Sequence, residues 1–275
     1  QEPMAISLPA GMGRDLARDM EELLEDLKVT LSKAFDNSQY EDSKAQLVRE
    51  FQEQVNDLME GLKDWASERG FTIKRTPQGF VNLPMVREVN ESGESVQREM
   101  QQDEFEALGE EEQQRLQRVS EEISQRTLEI LRQIREKEKA LKDRIRSLES
   151  EICRNAIKPH FDELKESYGA YGSCSQWLDD LAEDVVGNFS AFIAAGRDEN
   201  AEVDFSRYSV NVFVSNDPAQ GAPVIRETNP TYYNLVGKVE YESRQGYLYT
   251  DFKKIVAGAI HRANGGFLVL EAEEL

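Results

Sequence analysis

EEEQQRLQRVSEEISQRTLEILRQIREKEKALKDRIRSLESEIC, residues 110–153, decides the fold class. Leu116, Val119, Ile123, Thr127, Ile130, Ile134, Leu141, Ile145, Leu148 and Ile152 follow alternating steps of three and four, with one gap at Lys137. That period puts them on one stripe of a helix, in the manner of a coiled coil. At 1.5 Å per residue such a helix runs about 64 Å, so its stripe must be covered by other helices of this chain or by a partner. Pro159, which lacks an N–H and crowds the preceding turn, is expected to bend or restart the helix, and His160 beside it reads as a junction residue.

Upstream, Leu16, Met20, Leu23, Leu24, Leu27, Leu31 and Phe35 mark a helix over 11–36, and Leu47, Phe51, Val55, Leu58, Leu62 and Trp65 mark a second, ending near Gly70. The short joint between them predicts an antiparallel hairpin. Residues 71–83, FTIKRTPQGFVNL, alternate around a Pro-Gln-Gly turn and read as a β-hairpin, while 87–102 read as a connector. A further helix is expected over 176–195. Residues 1–10 read as an extended lead-in strand.

The composition changes near residue 205. The chain of 275 residues has a formal net charge of −20, of which −19 falls in residues 1–204 and −1 in 205–275. The second part is rich in Gly, Pro, Tyr, Val and Asn and carries short alternating runs such as SVNVFVSN. The fold class is therefore mainly α with a small α/β part. The acidic balance argues against nucleic-acid or anionic-lipid partners. No run of 18 apolar residues offers a membrane span. The two cysteines, Cys153 and Cys174, form no disulfide framework and lack zinc-ligand spacing, which fits a cytoplasmic protein.

Few residues carry chemistry. There is no G-x-x-x-x-G-K-[ST] phosphate loop and no G-x-S-x-G elbow. Gly11-Met12-Gly13-Arg14 lacks the lysine and hydroxyl that would hold phosphates. His160 and His261 belong to no metal pattern. The informative segment is GAIHRANGGFLVLEAEEL, 258–275: a glycine pair, four apolar residues, then acid. Read alone, FLVL is expected to be a buried, parallel strand. It ends either in ordinary solvent-exposed acid or in a Walker B carboxylate, Glu271, positioned to hold Mg²⁺ through water. Gly265 and Gly266 supply the tight approach into that strand.

This segment, together with PVIRETNPTYYNLVGKVEYESRQGYLYTDFKKIVAGAIHRANGG upstream of it and Leu8-Pro9-Ala10-Gly11-x-Gly13 at the start, resembles the Lon-related (Lon-like) AAA+ ATP-dependent protease family. The resemblance implies that 1–10 is the opening strand of an ATPase core, that 11–204 is a coiled-coil-like helical insertion, and that 205–275 is a partial AAA+ core ending in the Walker B-like strand. It implies ATP and Mg²⁺ as cofactors of the parent protein, none of them bound by this chain alone. It also implies a homo-oligomeric, hexameric ring acting on unfolded polypeptides, and a Ser-Lys protease dyad outside this chain. Since the family's phosphate loop precedes the LPAG segment and its dyad follows the Walker B strand, a chain running from Gln1 to just past FLVL is expected to be a fragment, with no catalytic residue of its own. Asn229, Tyr232 and Tyr233 become candidates for an inter-subunit or pore-facing segment, and Tyr247 and Tyr249 for a pore-facing hairpin within 241–252. Glu271 stands where the family has Asp, and Ala272 stands where it has a hydrolytic carboxylate, which predicts poor ATP hydrolysis. Two other readings share parts of this pattern: a chelatase- or activator-like ATPase, and a non-enzymatic scaffold that oligomerises through the 110–153 stripe.

Overall fold

A computed structural model describes residues 4–77, 79–89, 95–198, 201–244 and 247–271. In chain order the elements are α1 (Met12–Phe35), α2 (Ser38–Ser67), β1 (Phe71–Thr76), β2 (Gly79–Val89), β3 (Ser95–Glu99), α3 (Gln102–Glu106), α4 (Glu110–Tyr168), α5 (Cys174–Gly187) and α6 (Phe189–Arg197). There follow β4 (Val224–Glu227), α7 (Tyr232–Val236), β5 (Gly237–Val239), β6 (Glu242–Arg244), β7 (Tyr247–Tyr249), β8 (Ile255–Ala257), α8 (Ala259–Arg262) and β9 (Phe267–Leu270). The chain is mainly helical with a small α/β part. It divides into two compact units, residues 38–149 and residues 1–37 with 150–275. This division follows packing, whereas the compositional break near 205 follows charge.

In the unit formed by 38–149, α2 and the first part of α4 lie antiparallel. Tyr40 Oη donates to Glu149 at 2.8 Å, Arg144 to Glu50 at 3.0 Å and Lys137 to Gln54 at 2.9 Å, so rising numbers on one helix meet falling numbers on the other. Leu116, Ile123 and Ile130 of the stripe are buried. Thr127, buried among them, satisfies its hydroxyl by donating to the Ile123 carbonyl at 2.8 Å. At one end Ala66, Phe71, Leu116 and Ile123 form a core with Trp65, Ile73, Met100 and Phe105 packed against it.

Above that core lies a three-stranded antiparallel sheet in the order β1-β2-β3. The hairpin reading of 71–83 agrees with its first pair, which starts at Phe71↔Pro84. The connector reading of 87–102 does not hold for 87–89 and 95–102; residues 90–94 lie outside the described residues. β2 continues to Val89 and pairs with β3 from Met85↔Glu99, and α3 follows. Arg98 ties β3 to β2 and α3. Its guanidinium donates to both Glu104 oxygens, at 2.6 and 2.5 Å, and to Glu88 at 2.5 Å. Arg98, with the backbone N–H of Gln101, holds the Glu104 carboxyl down at about 2. A lowered carboxyl stabilises the folded corner above the ordinary glutamate range, and that contribution is lost as pH falls through about 2. A carboxyl-carbon NMR titration of Glu104 should give that low midpoint; an ordinary glutamate midpoint would refute the fork.

In the other unit, α1 runs antiparallel to the end of α4. Thr30 Oγ1 lies 3.2 Å from His160 Nε2, and Tyr168 Oη donates to Asp19 at 2.6 Å. α1 thus pairs with the end of α4 within its unit, as α2 pairs with the first part of α4 within the other. Pro159 does not break α4, and His160 is a mid-helix residue rather than a junction. The cost of an internal proline, about 3 kcal/mol, is offset by the packing of Cys153, Ile157, Phe161, Leu164 and Tyr168, all buried along this stretch. α5 returns along α4, with Arg154 paired to Glu183 and Lys165 to Asp179. The single helix expected over 176–195 is split at Asn188, whose side chain donates to the Asp184 carbonyl at 2.8 Å. α6 packs on α1 through Gly196, where a Cβ would sit 2.4 Å from the Lys28 carbonyl oxygen.

Cys153 and Cys174 are free thiols with no exposed surface. Burial pushes the Cys153 thiol up to about 11 and raises Cys174 as well. The thiolate is the reactive form. A thiol-specific chromogenic reagent at pH 8 should therefore detect no thiol in the native chain and both after denaturation. Rapid native labelling would show that this core opens.

Candidate functional site

Residues 205–271 attach to the helices of their unit through aromatic packing. The ring of Phe192 lies 4.8 Å from Phe205 and 5.2 Å from Tyr208, and Lys28 sits over Phe205. Tyr208 Oη donates to Asp184 at 2.7 Å, and its ionisation is pushed upward by burial and by that carboxylate. Asn211 donates to the carbonyls of Phe252 and Ile255 at 2.9 and 3.2 Å, and Asn216 to that of Asn264 at 2.9 Å. Phe213 meets His261 edge-on at 5.0 Å.

On this base β4 and β9 form a parallel pair, in register from Val224↔Phe267 to Glu227↔Leu270. The strand is parallel as expected but not buried. Phe267 and Val269 on β9, with Val224 on β4, are exposed, while Ile225, Leu268 and Leu270 are half-buried. A two-stranded pair covers only one face, and α8 packs against β4. Gly265, with φ 77°, and Gly266 lead into β9. A Cβ at Gly266 would lie 2.0 Å from the Pro223 carbonyl oxygen, the same oxygen that accepts from Phe267 N at 2.8 Å.

In open α/β sheets ligands gather beyond the carboxyl ends of parallel strands. Here that end holds Glu271 and Glu227. Glu271 is exposed and ion-paired with Arg226 of the neighbouring strand. Glu227 is turned to the other side, largely covered, with Arg262 at 3.6 Å, and it accepts from the Asn229 backbone N–H at 3.0 Å. Asn234 Nδ2 donates to the Asn229 carbonyl at 2.8 Å, and Thr231 Oγ1 caps α7. Asn229 is thus held at the carboxyl end of β4 by its backbone.

Tyr232 and Tyr233 on α7 are 70% and 66% exposed and touch each other edge-on, so neither is a core residue. Tyr247 and Tyr249 lie on a separate ladder, where β7 pairs with β6. Tyr247 is 80% exposed and Leu248, on the opposite face, 78%. The sequence reading missed Arg226. The alternation in PVIRET held the signal, because it sets Arg226 and Glu227 on opposite faces of one strand.

Glu271 by itself would supply only one of the oxygens around a Mg²⁺ ion, which at nucleotide sites takes the others from phosphates and water. Mg²⁺ demands six oxygen ligands. Here the described carboxylate at the end of β9 is already engaged by a guanidinium, and among the described residues no three His, Cys, Asp or Glu side chains form a metal-binding group. No step through ATP or Mg²⁺ is therefore derived from these residues.

Two family models match the chain. The LonB-like AAA domain matches residues 220–275, which include the β4–β9 pair and Glu271. The Lon-like LonC helical domain matches residues 1–23, at the start of α1. Both ends of the chain are thus similar to Lon-like domains. Curated proteins give no match. The matches support a Lon-related AAA+ protease family, and no helix among the described residues is long and apolar enough to cross a membrane. Ala272 lies just beyond the described residues, so the carboxylate-to-alanine exchange expected there stands on the sequence alone.

Proposed function

We propose that the chain is part of a Lon-related ATP-dependent serine protease that degrades unfolded polypeptides in the cytoplasm as a homo-oligomeric, hexameric ring. In this reading residues 205–275, with 1–10, belong to its AAA+ core, which binds nucleotide in the parent protein, and 11–204 are an insertion that recognises or gates substrate. The observation that carries the reading is the parallel β4–β9 pair, with a carboxylate at its carboxyl end, inside the segment that the AAA model matches. The exposed Tyr232, Tyr233 and Tyr247 support contact with polypeptide, because aromatic side chains offer large contact area at low entropic cost. Ala272 implies slow ATP turnover; robust turnover abolished by Glu271→Gln would contradict that part.

The test is made in the larger protein that carries this chain. Residues 38–149 are replaced by a short Gly-Ser linker, since they form a unit of their own. Cleavage of a short peptide should survive, while cleavage of an unfolded protein should fall by about tenfold or more. Equal loss of both would contradict the gating role, and absence of any peptidase from the parent would contradict the protease reading. A non-enzymatic scaffold joined through the 110–153 stripe is disfavoured, because Leu116, Ile123 and Ile130 are already buried within the chain.

A further inference from the structure

α4 carries a second stripe on its solvent side. Arg132, Arg135, Lys139, Lys142 and Arg146 follow steps of three, four, three and four, and all five are exposed. Residues so spaced line one face of a helix, here over about 21 Å. Lys142 pairs with Glu138; among the described residues Arg132, Arg135, Lys139 and Arg146 have no ion-pair partner. The acids flanking the stripe on the same helix, Glu136 and Asp143, are likewise unpaired, and Glu129 is taken by Arg126. So regular a row of cations is out of keeping with a chain of net charge −20.

α2, in the same unit, carries the complement. Glu53, Asp57, Glu60 and Asp64 follow steps of four, three and four, all exposed and none ion-paired among the described residues. They span about 17 Å. Arg49 and Lys63 flank them, exposed as well. Both stripes point away from the positions that α2 and α4 bury, such as Leu62 and Ala66 on one helix and Ile123 and Ile130 on the other.

We infer that the cationic stripe of α4 docks on the acidic stripe of α2 in a second copy of this chain. Charge complementarity selects this occupant. The two rows share a repeat and nearly a length, so several pairs form at once in a single register. Elsewhere the copies are acidic and repel one another, which penalises other arrangements. The same overall charge opposes phosphate polymers and anionic lipid. Each copy offers one row of each sign, so the rows can pair reciprocally about a two-fold axis or in series, and the sedimentation coefficient separates a dimer from a longer series. The inference concerns assembly alone and needs neither nucleotide nor peptide cleavage, so its failure would leave the protease reading standing.

The test is sedimentation velocity of the full 275-residue chain. Association at 50 mM salt should weaken roughly tenfold at 500 mM, as screening shortens the reach of exposed charges. A chain with Arg132→Glu, Arg135→Glu, Lys139→Glu and Arg146→Glu should be monomeric, and so should one with Glu53→Lys, Asp57→Lys, Glu60→Lys and Asp64→Lys. An equimolar mixture of the two should assemble again, because each then carries what the other lacks. Carbodiimide coupling of mixed light and isotopically heavy wild-type chains should join Lys139 or Lys142 of one copy to Asp57 or Glu60 of another, a readout that needs no variant. The inference is overturned if the wild type stays monomeric at 50 mM salt, if either reversed chain associates like the wild type, or if the mixture or the coupling yields no intermolecular contact between these helices. It is also overturned if the α4 variant loses binding to inorganic polyphosphate, duplex DNA or phosphatidylserine vesicles while self-association is unchanged.

Discussion

Phe192→Ala is expected to destabilise the unit containing it by about 3–5 kcal/mol, the usual cost of emptying a buried phenylalanine site. Phe192 has no exposed surface, and it joins α6 to the rings of Phe205 and Tyr208. The void cannot collapse easily. Tyr208 is tied to Asp184, and Gly196 already holds α6 against the Lys28 carbonyl and the Ser32 hydroxyl. For a unit of this size the melting temperature should fall by roughly 6–20 °C. Phe192→Leu, which keeps most of the volume, should lose far less. Thermal denaturation followed by circular dichroism checks both, and a shift below about 2 °C for the alanine variant would show that the three rings do not form one packed cluster.

Gly266→Val should abolish the β4–β9 pairing. Gly266 has ordinary backbone angles for any residue, so the effect is steric. Its Cβ would fall 2.0 Å from the Pro223 carbonyl oxygen and 2.7 Å from two carbons of the Pro223 ring, and backbone cannot yield as a flexible side chain can. Moving Pro223 away breaks the bond from Phe267 N to its carbonyl, and with it the start of a ladder only four residues long. Gly265→Ala is the contrast. There φ is 77° and the space is open, so the cost is the backbone penalty of about 1–2 kcal/mol, with the ladder retained. Amide hydrogen exchange at Leu268 and Val269 separates the two cases. Unchanged protection in the valine variant would mean that the strands do not approach as closely as the structure has them.

Much of this was legible from residue spacing. The period of Leu16 to Phe35 fixed α1, and the alternation in FTIKRT fixed β1, because both depend on contacts repeated along one element. What escaped depends on partners far away in the chain. α4 passes through Pro159 because buried side chains on both sides of it hold the helix. β3 looks like a linker until Arg98 finds Glu88 and Glu104. At the candidate site, Glu271 and the glycine pair were visible as a local pattern. The guanidinium that occupies Glu271 was not, since only the register of β4 on β9 brings residue 226 beside residue 271. The exposure of FLVL escaped for a similar reason, as an apolar run carries no mark of how many strands flank it.

The compact unit 38–149 is continuous in sequence, whereas the other is assembled from 1–37 and 150–275. On the ribosome this sets an order of events. α1 is made before that unit, yet Cys153, Ile157, Phe161 and Phe192, which lie in the same unit as α1, are all made more than a hundred residues later. At about 5–20 residues per second, the face carrying Leu16, Met20, Leu27 and Leu31 waits many seconds while the intervening unit completes itself. The nascent chain therefore carries a long-lived amphipathic helix ahead of that unit, a surface that pauses in translation would leave open to aggregation.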